Sequence, residues 1–321
     1  MTASPSAHDA GFVHSALFYQ SEQEYLDRVL ASVSEALSNY EPVWVAVPGD
    51  KLASLREALD PVADDTEVTL ADMTEVGRNP ARLLGVVGGF VERHRHRPVR
   101  LIGEPVWAGR TAVEYPACVQ HEALTNLALD GHRGTALCLY DASRLADSVL
   151  ADARLTHPLI CVDGSYQRSA DYAIDVALQR CNEPLTTSPA AVTYTVSELA
   201  NLSAARQQGS RYGRLLGLAA ETIANLQLII TELATNSLQH GNGTCRLAFW
   251  EHSGYLVCEA RDTGFLDDPL AGRRPPNGDG KSPRGLFVVN ALADLVRIHT
   301  TPDGTTIQVF LRLDRLGEEA S

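Results

Sequence analysis

The stretch ANLQLIITELATNSLQHGNG, residues 224–243, decides the fold of the C-terminal half. Together with Ile223, its Leu226, Ile230 and Leu233 recur at helical spacing and form one apolar stripe. Glu232 and Asn236, four residues apart, share a different face about one turn from each other. Such a pair suits metal-nucleotide chemistry: an amide oxygen can bind a hard cation between phosphates, and a nearby carboxylate can orient or deprotonate an attacking hydroxyl. A solvated face of an amphipathic helix gives the same pattern, so the pair needs company.

Three later segments supply it. YLVCEARDTGFLDD (255–268) is a strand-like run ending in Asp262, Thr263 and Gly264, where a carboxylate at a strand end can accept from an amino group while glycine admits a ligand to the backbone. The loop from Leu270 to Arg284 is rich in glycine and proline, and RGLFVVNALADLV then restarts helical periodicity. Backbone amides of Arg284, Gly285 and Leu286 would open that helix, where unpaired N–H groups and the dipole favour phosphate, with Lys281 and Arg284 adding positive charge. PDGTTIQVFLRL (302–313) puts Gly304, Thr305 and Thr306 at the start of the last strand, after an Asp-Gly turn.

In this order the four segments resemble the boxes of the GHKL ATPases: ELATNSLQHG the N box, DTG the G1 box, PRGL the G2 box, and GTT the last. The compact domain with LATNSLQHG and RGLxxVxxLAD is most similar to RsbW-type serine-kinase anti-sigma factors, over about residues 190–315. The resemblance implies Glu232 as catalytic base, Asn236 as Mg²⁺ ligand, Asp262 as adenine anchor, Gly264 beside the base, Arg284 and Gly285 around the phosphates, and ATP with Mg²⁺ as cofactors. Leu266 stands where the fuller G1 pattern has a second glycine, and Pro283 stands where the G2 pattern begins with one.

Upstream, VWVAVP (43–48), TEVTLA (66–71), PVRLIG (98–103), GTALCLY (134–140) and HPLICV (157–162) alternate with helical stretches, the pattern of a parallel α/β sheet. VPGDKLAS (47–54) has strand-loop-helix context without the GxxxxGK[ST] spacing, a degenerate phosphate loop. HSALFYQSEQEYL, IGEPVWAGR, ALCLYDASRL and THPLI together resemble the MEDS sensory domain, a proposed relative of RecA-like ATPases, over about residues 12–165. His14, Tyr19, Glu104, Trp107, Arg110 and Tyr140 fall near strand or motif ends, where open α/β sheets place ligands; core packing is the plainer reading for Trp107 and Tyr140.

The expected organisation is therefore a parallel-sheet domain at 12–165, a connector at 166–189 marked by CNEPLTTSP, and an α+β sandwich at 190–315. The pairing resembles the RsbA-family anti-sigma regulators, which implies a sigma factor and an anti-anti-sigma (STAS) protein as partners, an unidentified small-molecule or protein signal at the front domain, and a possible homodimer. A binding module without catalysis is the main alternative. A sensor histidine kinase is the lesser one, since residues 164–239 hold no histidine to serve as acceptor.

A net charge of −13 disfavours direct nucleic-acid binding. No segment approaches the ~18 apolar residues of a membrane helix, and MTASPSAHDAGF lacks the features of a signal peptide, so a cytoplasmic address is expected. The six cysteines form no CxxC pair and read as small buried hydrophobes rather than a disulfide or zinc framework.

Overall fold

The computed structural model describes residues 11–59, 67–162, 164–275 and 284–313. The chain forms two compact units, Met1–Cys181 and Asn182–Ser321.

The first unit runs β1 (Phe12–Tyr19), α1 (Glu22–Ser38), β2 (Val43–Val47), α2 (Gly49–Leu59), β3 (Val68–Asp72), α3 (Met73–Val76), α4 (Pro80–Arg93), β4 (Val99–Gly103), α5 (Tyr115–Ala128), β5 (Gly134–Asp141), α6 (Asp147–Thr156), β6 (Leu159–Val162), β7 (Ser165–Arg168) and α7 (Ile174–Cys181). Its strands order as β3-β2-β4-β5-β1-β6-β7, parallel throughout except for β7, which turns back along β6. All residues of β2 and β5 are buried, as in a sheet covered on both faces. Strand alternation assigns the faces: Val43, Val45 and Val47 pack with Val29, Val33 and Leu55 of α1 and α2, whereas Trp44 and Ala46 pack with Leu83, Val87 and Phe90 of α4. Each such side chain contributes about 1.5–3 kcal/mol on full burial.

The interior strand β1 and helix α1 were not among the elements expected from periodicity. Within HSALFY the burial is nearly continuous, so no period-2 pattern marks the strand. Helix α1 starts at Ser21, whose hydroxyl accepts from the Glu24 amide at 3.2 Å.

The second unit runs β8 (Val192–Val196), a 3-10 turn at Leu199–Asn201, α8 (Leu202–Leu215), α9 (Ala220–His240), β9 (Cys245–His252), β10 (Tyr255–Asp262), α10 (Gly285–Leu292), β11 (Leu295–Thr301) and β12 (Gly304–Arg312). The sheet is antiparallel in the order β11-β12-β10-β9-β8. Helix α9 packs between α8 and α10 and buries Ile223, Leu226, Ile229, Ile230 and Leu233. Gly209 of α8 brings that helix close: a Cβ there would lie 2.3 Å from Ile230 Cδ1 and 3.2 Å from Phe249. Ser253 and Gly254, both at positive φ, join β9 to β10 in a hairpin turn.

The segment 166–189, expected as a connector, is built into both units. Strand β7 and helix α7 complete the first, α7 packing on α5. From Asn182 the chain is held in the second unit. The Asn182 side chain exchanges two hydrogen bonds with the Thr300 backbone, at 2.8 and 2.9 Å. Thr187 donates to buried Glu259 at 2.5 Å, and Gln308 reaches both Glu259 and the Thr186 carbonyl. Small polar residues that suggest a free linker serve here to satisfy a buried carboxylate.

Candidate functional site

In the second unit a cleft of about 470 Å³ opens between the C-terminal part of α9, the end of β10 and the N-terminal end of α10. Its size falls in the range of about 300–1,000 Å³ typical of small-molecule sites. Leu233, Ala260, Leu270, Leu286 and Ile307 supply apolar wall, and Asn236, Ser237, Asp262 and Thr305 supply polar groups.

Asp262 lies at the last position of β10, where the strand leaves the sheet. Its carboxylate is fixed from two sides: Oδ2 accepts from the Ser237 hydroxyl at 2.5 Å, and Oδ1 accepts from the Gly264 amide at 2.8 Å. Each oxygen keeps a further lone pair for a ligand donor. Glycine is required around it, because a Cβ at Gly241 would lie 2.4 Å from the Asp262 carboxyl carbon and one at Gly264 would lie 2.5 Å from the His240 carbonyl oxygen. Burial pushes the neighbouring Cys245 thiol up to about 11, so it stays protonated at neutral pH.

Thr305 lines the cleft, but its hydroxyl donates to the Gly264 carbonyl at 2.8 Å and also meets Thr300 Oγ1 at 2.8 Å. Thr300 in turn accepts from the Leu266 amide at 3.0 Å. These two threonines shape the loop after β10. Leu266 itself faces the cleft.

Glu232 and Asn236 meet the start of α10. A Cβ on Gly285 would lie 2.7 Å from Glu232 Oε2 and 3.0 Å from Asn236 Nδ2, so the first residue of α10 rests directly on this pair. Arg284 caps that helix and is exposed. The amides of its first turn therefore open beside the acid and the amide, the setting in which a helix N-terminus receives phosphate. The base of the preceding loop is tied to the same helix: Asn290 Nδ2 donates to the Gly272 carbonyl at 2.8 Å, and Gly272, at φ +70°, presses on Leu286.

Of the residues singled out from sequence, Asn236, Asp262, Gly264, Leu286 and Thr305 line one cleft, and Glu232, Arg284 and Gly285 stand at its phosphate-suited end. Lys281 and Pro283 lie outside the described residues. Sequence reasoning missed Ser237, Thr300 and the exposed Arg274 that also lines the cleft. A helical serine has no local signal; its partner lies 25 residues on.

In the first unit the lysine of the degenerate phosphate loop is engaged by neighbouring side chains. Helix α2 begins at Gly49 directly after β2, and Lys51 Nζ is bound to Glu104 at 2.6 Å and to the Tyr19 hydroxyl. Tyr19 donates to the same Glu104 oxygen at 3.0 Å. These groups sit at the carboxyl ends of β1, β2 and β4, beside a cavity of about 270 Å³ that also meets Trp107, Asp141 and Arg144. Burial raises the Glu104 pKa against the lowering effect of Lys51. Arg110 stacks 3.7 Å above the Trp107 ring, and Tyr140 is core.

Residues 13–158 match the MEDS family (methanogen/methylotroph, DcmR sensory domain), and residues 195–311 match the histidine kinase-like ATPase domain. Among solved structures, a crystal structure of RsbU and RsbW domains from a Mycobacterium tuberculosis protein is similar at 16% identity and a TM-score of 0.30, covering 66% of this chain and 51% of that one. The chain thus spans about half the length of that neighbour. No curated protein matches the sequence. Among the described residues no helix is long and apolar enough to cross a membrane.

Proposed function

From a chain in which a MEDS sensory domain precedes a histidine kinase-like ATPase domain, we propose a regulator of the RsbA type. The C-terminal domain binds ATP with Mg²⁺, holds a sigma factor, and phosphorylates a serine or threonine of an anti-anti-sigma STAS partner under control of the front domain. The observation that carries the nucleotide reading is the doubly anchored Asp262 in an apolar cleft whose far end brings Glu232 and Asn236 against the first turn of α10.

In this reading Asp262 accepts from the adenine amino group, and the apolar walls take the base. Asn236 is the amide ligand of Mg²⁺, which when bound neutralises charge between the phosphates. The amides at Gly285 and Leu286, with Arg284, hold phosphate oxygens, and Lys281, outside the described residues, is proposed to add positive charge. Glu232, next to the metal ligand, receives the proton of the partner's hydroxyl as it attacks.

Titration calorimetry with ATP and Mg²⁺ tests the binding step: heat in the wild type and none in Asp262→Ala and Asn236→Ala is the expected result. Incubation with labelled ATP and candidate STAS domains tests transfer. Label on the partner with wild type but not with Glu232→Ala supports the kinase; equal labelling by both rejects Glu232 as the base.

Leu266 favours a second reading. Its side chain occupies cleft wall where the related G1 pattern has glycine. Nucleotide binding and sigma-factor capture without transfer to any STAS partner would mark a nucleotide-gated binding module. A sensor histidine kinase would show acid-labile phosphohistidine on the chain itself.

A further inference from the structure

His14 of β1, Glu122 of α5, Cys138 of β5 and His157 at the end of α6 converge in the interior of the first unit, all of them buried. Their ligand atoms lie within 4.8 Å of one another. His14 Nε2 is 3.3 Å from both Glu122 Oε2 and Cys138 Sγ, Cys138 Sγ is 3.3 Å from Glu122 Oε2, and His157 Nε2 is 3.5 Å from the same oxygen. Zn–N, Zn–O and Zn–S bonds of about 2.0–2.3 Å in a tetrahedron place neighbouring ligand atoms about 3.3–3.8 Å apart. Four of the six separations, at 3.3–3.5 Å, match edges of that figure, and the other two lie within 4.8 Å.

The proton inventory is equally specific. Asn126 Nδ2 donates to the carbonyls of Glu122, Ala123 and Thr156, which turns Oδ1 toward His14 Nδ1 at 3.2 Å. His14 Nδ1 is therefore the donor, and its Nε2 carries a lone pair into the cluster. His157 Nδ1 faces the Ala153 carbonyl at 2.8 Å, so it too donates; its Nε2 makes no hydrogen bond, and in the neutral ring that atom carries a lone pair inward. Glu122 Oε2 is an acceptor as well, while its Oε1 is held by the Tyr140 hydroxyl at 3.0 Å. With both rings neutral, three lone-pair atoms face one another with a single thiol proton among them. In a dry interior that is costly until a cation arrives.

We propose that His14, Glu122, Cys138 and His157 form a binding site for a divalent transition-metal ion of the zinc type inside the MEDS domain. Two neutral imidazoles, a carboxylate and a thiolate cancel a divalent charge, which permits full burial; the thiol proton leaves to solvent as the Cys138 sulfur bonds the metal. The outward hydrogen bonds of both histidines and of Glu122 are the partners that orient metal ligands. The site ties β1, β5, α5 and α6 together and couples the sensory domain to metal supply. It stands independently of the nucleotide reading.

The full-length chain, without an affinity tag that binds metal, is produced in medium supplemented with Zn²⁺ or with Co²⁺, so that the ion is present as the buried site closes. Elemental analysis is expected to give about one metal per chain. The cobalt form is expected to show the intense visible bands of tetrahedral coordination and a thiolate-to-cobalt band in the near ultraviolet. Cys138→Ala removes the thiolate band, whereas Cys161→Ala, on β6 at the other side of β1, keeps it. X-ray absorption on the wild-type zinc form reads one sulfur among nitrogen and oxygen neighbours and needs no variant to fold. Folded wild-type protein without bound metal overturns the proposal, and so does a thiolate band that survives in Cys138→Ala.

Discussion

The Ser237 hydroxyl donates to Asp262 Oδ2 at 2.5 Å, joining the last turn of α9 to the end of β10 across 25 residues of chain. Asp262 has one other described anchor, the Gly264 amide. Removing the serine frees the carboxylate to rotate away from a ligand donor. A hydrogen bond to a charged group contributes about 1.5–3 kcal/mol, so Ser237→Ala is expected to weaken ATP·Mg²⁺ binding by roughly 10- to 100-fold. Calorimetry checks this, with circular dichroism to show that the variant is folded; unchanged affinity would separate Asp262 from nucleotide recognition.

Gly285 gives a sharper test of the phosphate end. Alanine in α10 would gain about 1 kcal/mol of helix propensity. Its Cβ, however, would stand 2.7 Å from Glu232 Oε2 and 3.0 Å from Asn236 Nδ2, displacing the proposed base and metal ligand together. Gly285→Ala is expected to retain fold and to lose phosphotransfer at least as completely as Glu232→Ala. Transfer at the wild-type rate would show that the helix start and Glu232 do not act as one site.

How much of this was legible in sequence follows from the range of each signal. The stripe of α9 and the antiparallel strands around the hairpin turn are local patterns and fall where expected, and Asn236, Asp262, Gly264 and Thr305 come together around one cleft. Strand β1 left no periodic trace because almost all its positions are buried. The 166–189 stretch has connector composition, yet Asn182, Thr186 and Thr187 find partners more than 70 residues away. The cluster of His14, Glu122, Cys138 and His157 is spread over the whole first unit and has no spacing a motif could record. Cys138 reads in sequence as one more small hydrophobe.

Packing of the second unit depends on Gly209. A methyl group there would meet Ile230 Cδ1 at 2.3 Å and Phe249 at 3.2 Å, both side chains fully buried. Overpacking typically costs about 1–3 kcal/mol, against about 1 kcal/mol gained in helix propensity. Gly209→Ala is therefore expected to lower the thermal midpoint of the ATPase domain while leaving the first unit's transition in place, as read by scanning calorimetry. A raised midpoint would mean that α8 has room to move outward.

Glu104 predicts a pH dependence in the first unit. Burial raises its folded pKa above the ordinary 4.5, with Lys51 and Tyr19 pulling it back without cancelling the effect. Between 4.5 and the raised value, the folded chain binds more protons than the unfolded one, so stability falls as pH rises. This contribution is fully present below 4.5 and is lost as pH rises through the folded pKa. Glu104→Gln cannot ionise and is expected to flatten that slope, although it leaves Lys51 without its ion-pair partner. Urea denaturation at a series of pH values from 4.5 upward compares the two slopes. Parallel slopes in wild type and variant would assign the pH dependence to other groups and return Glu104 to an ordinary, fully compensated ion pair with Lys51.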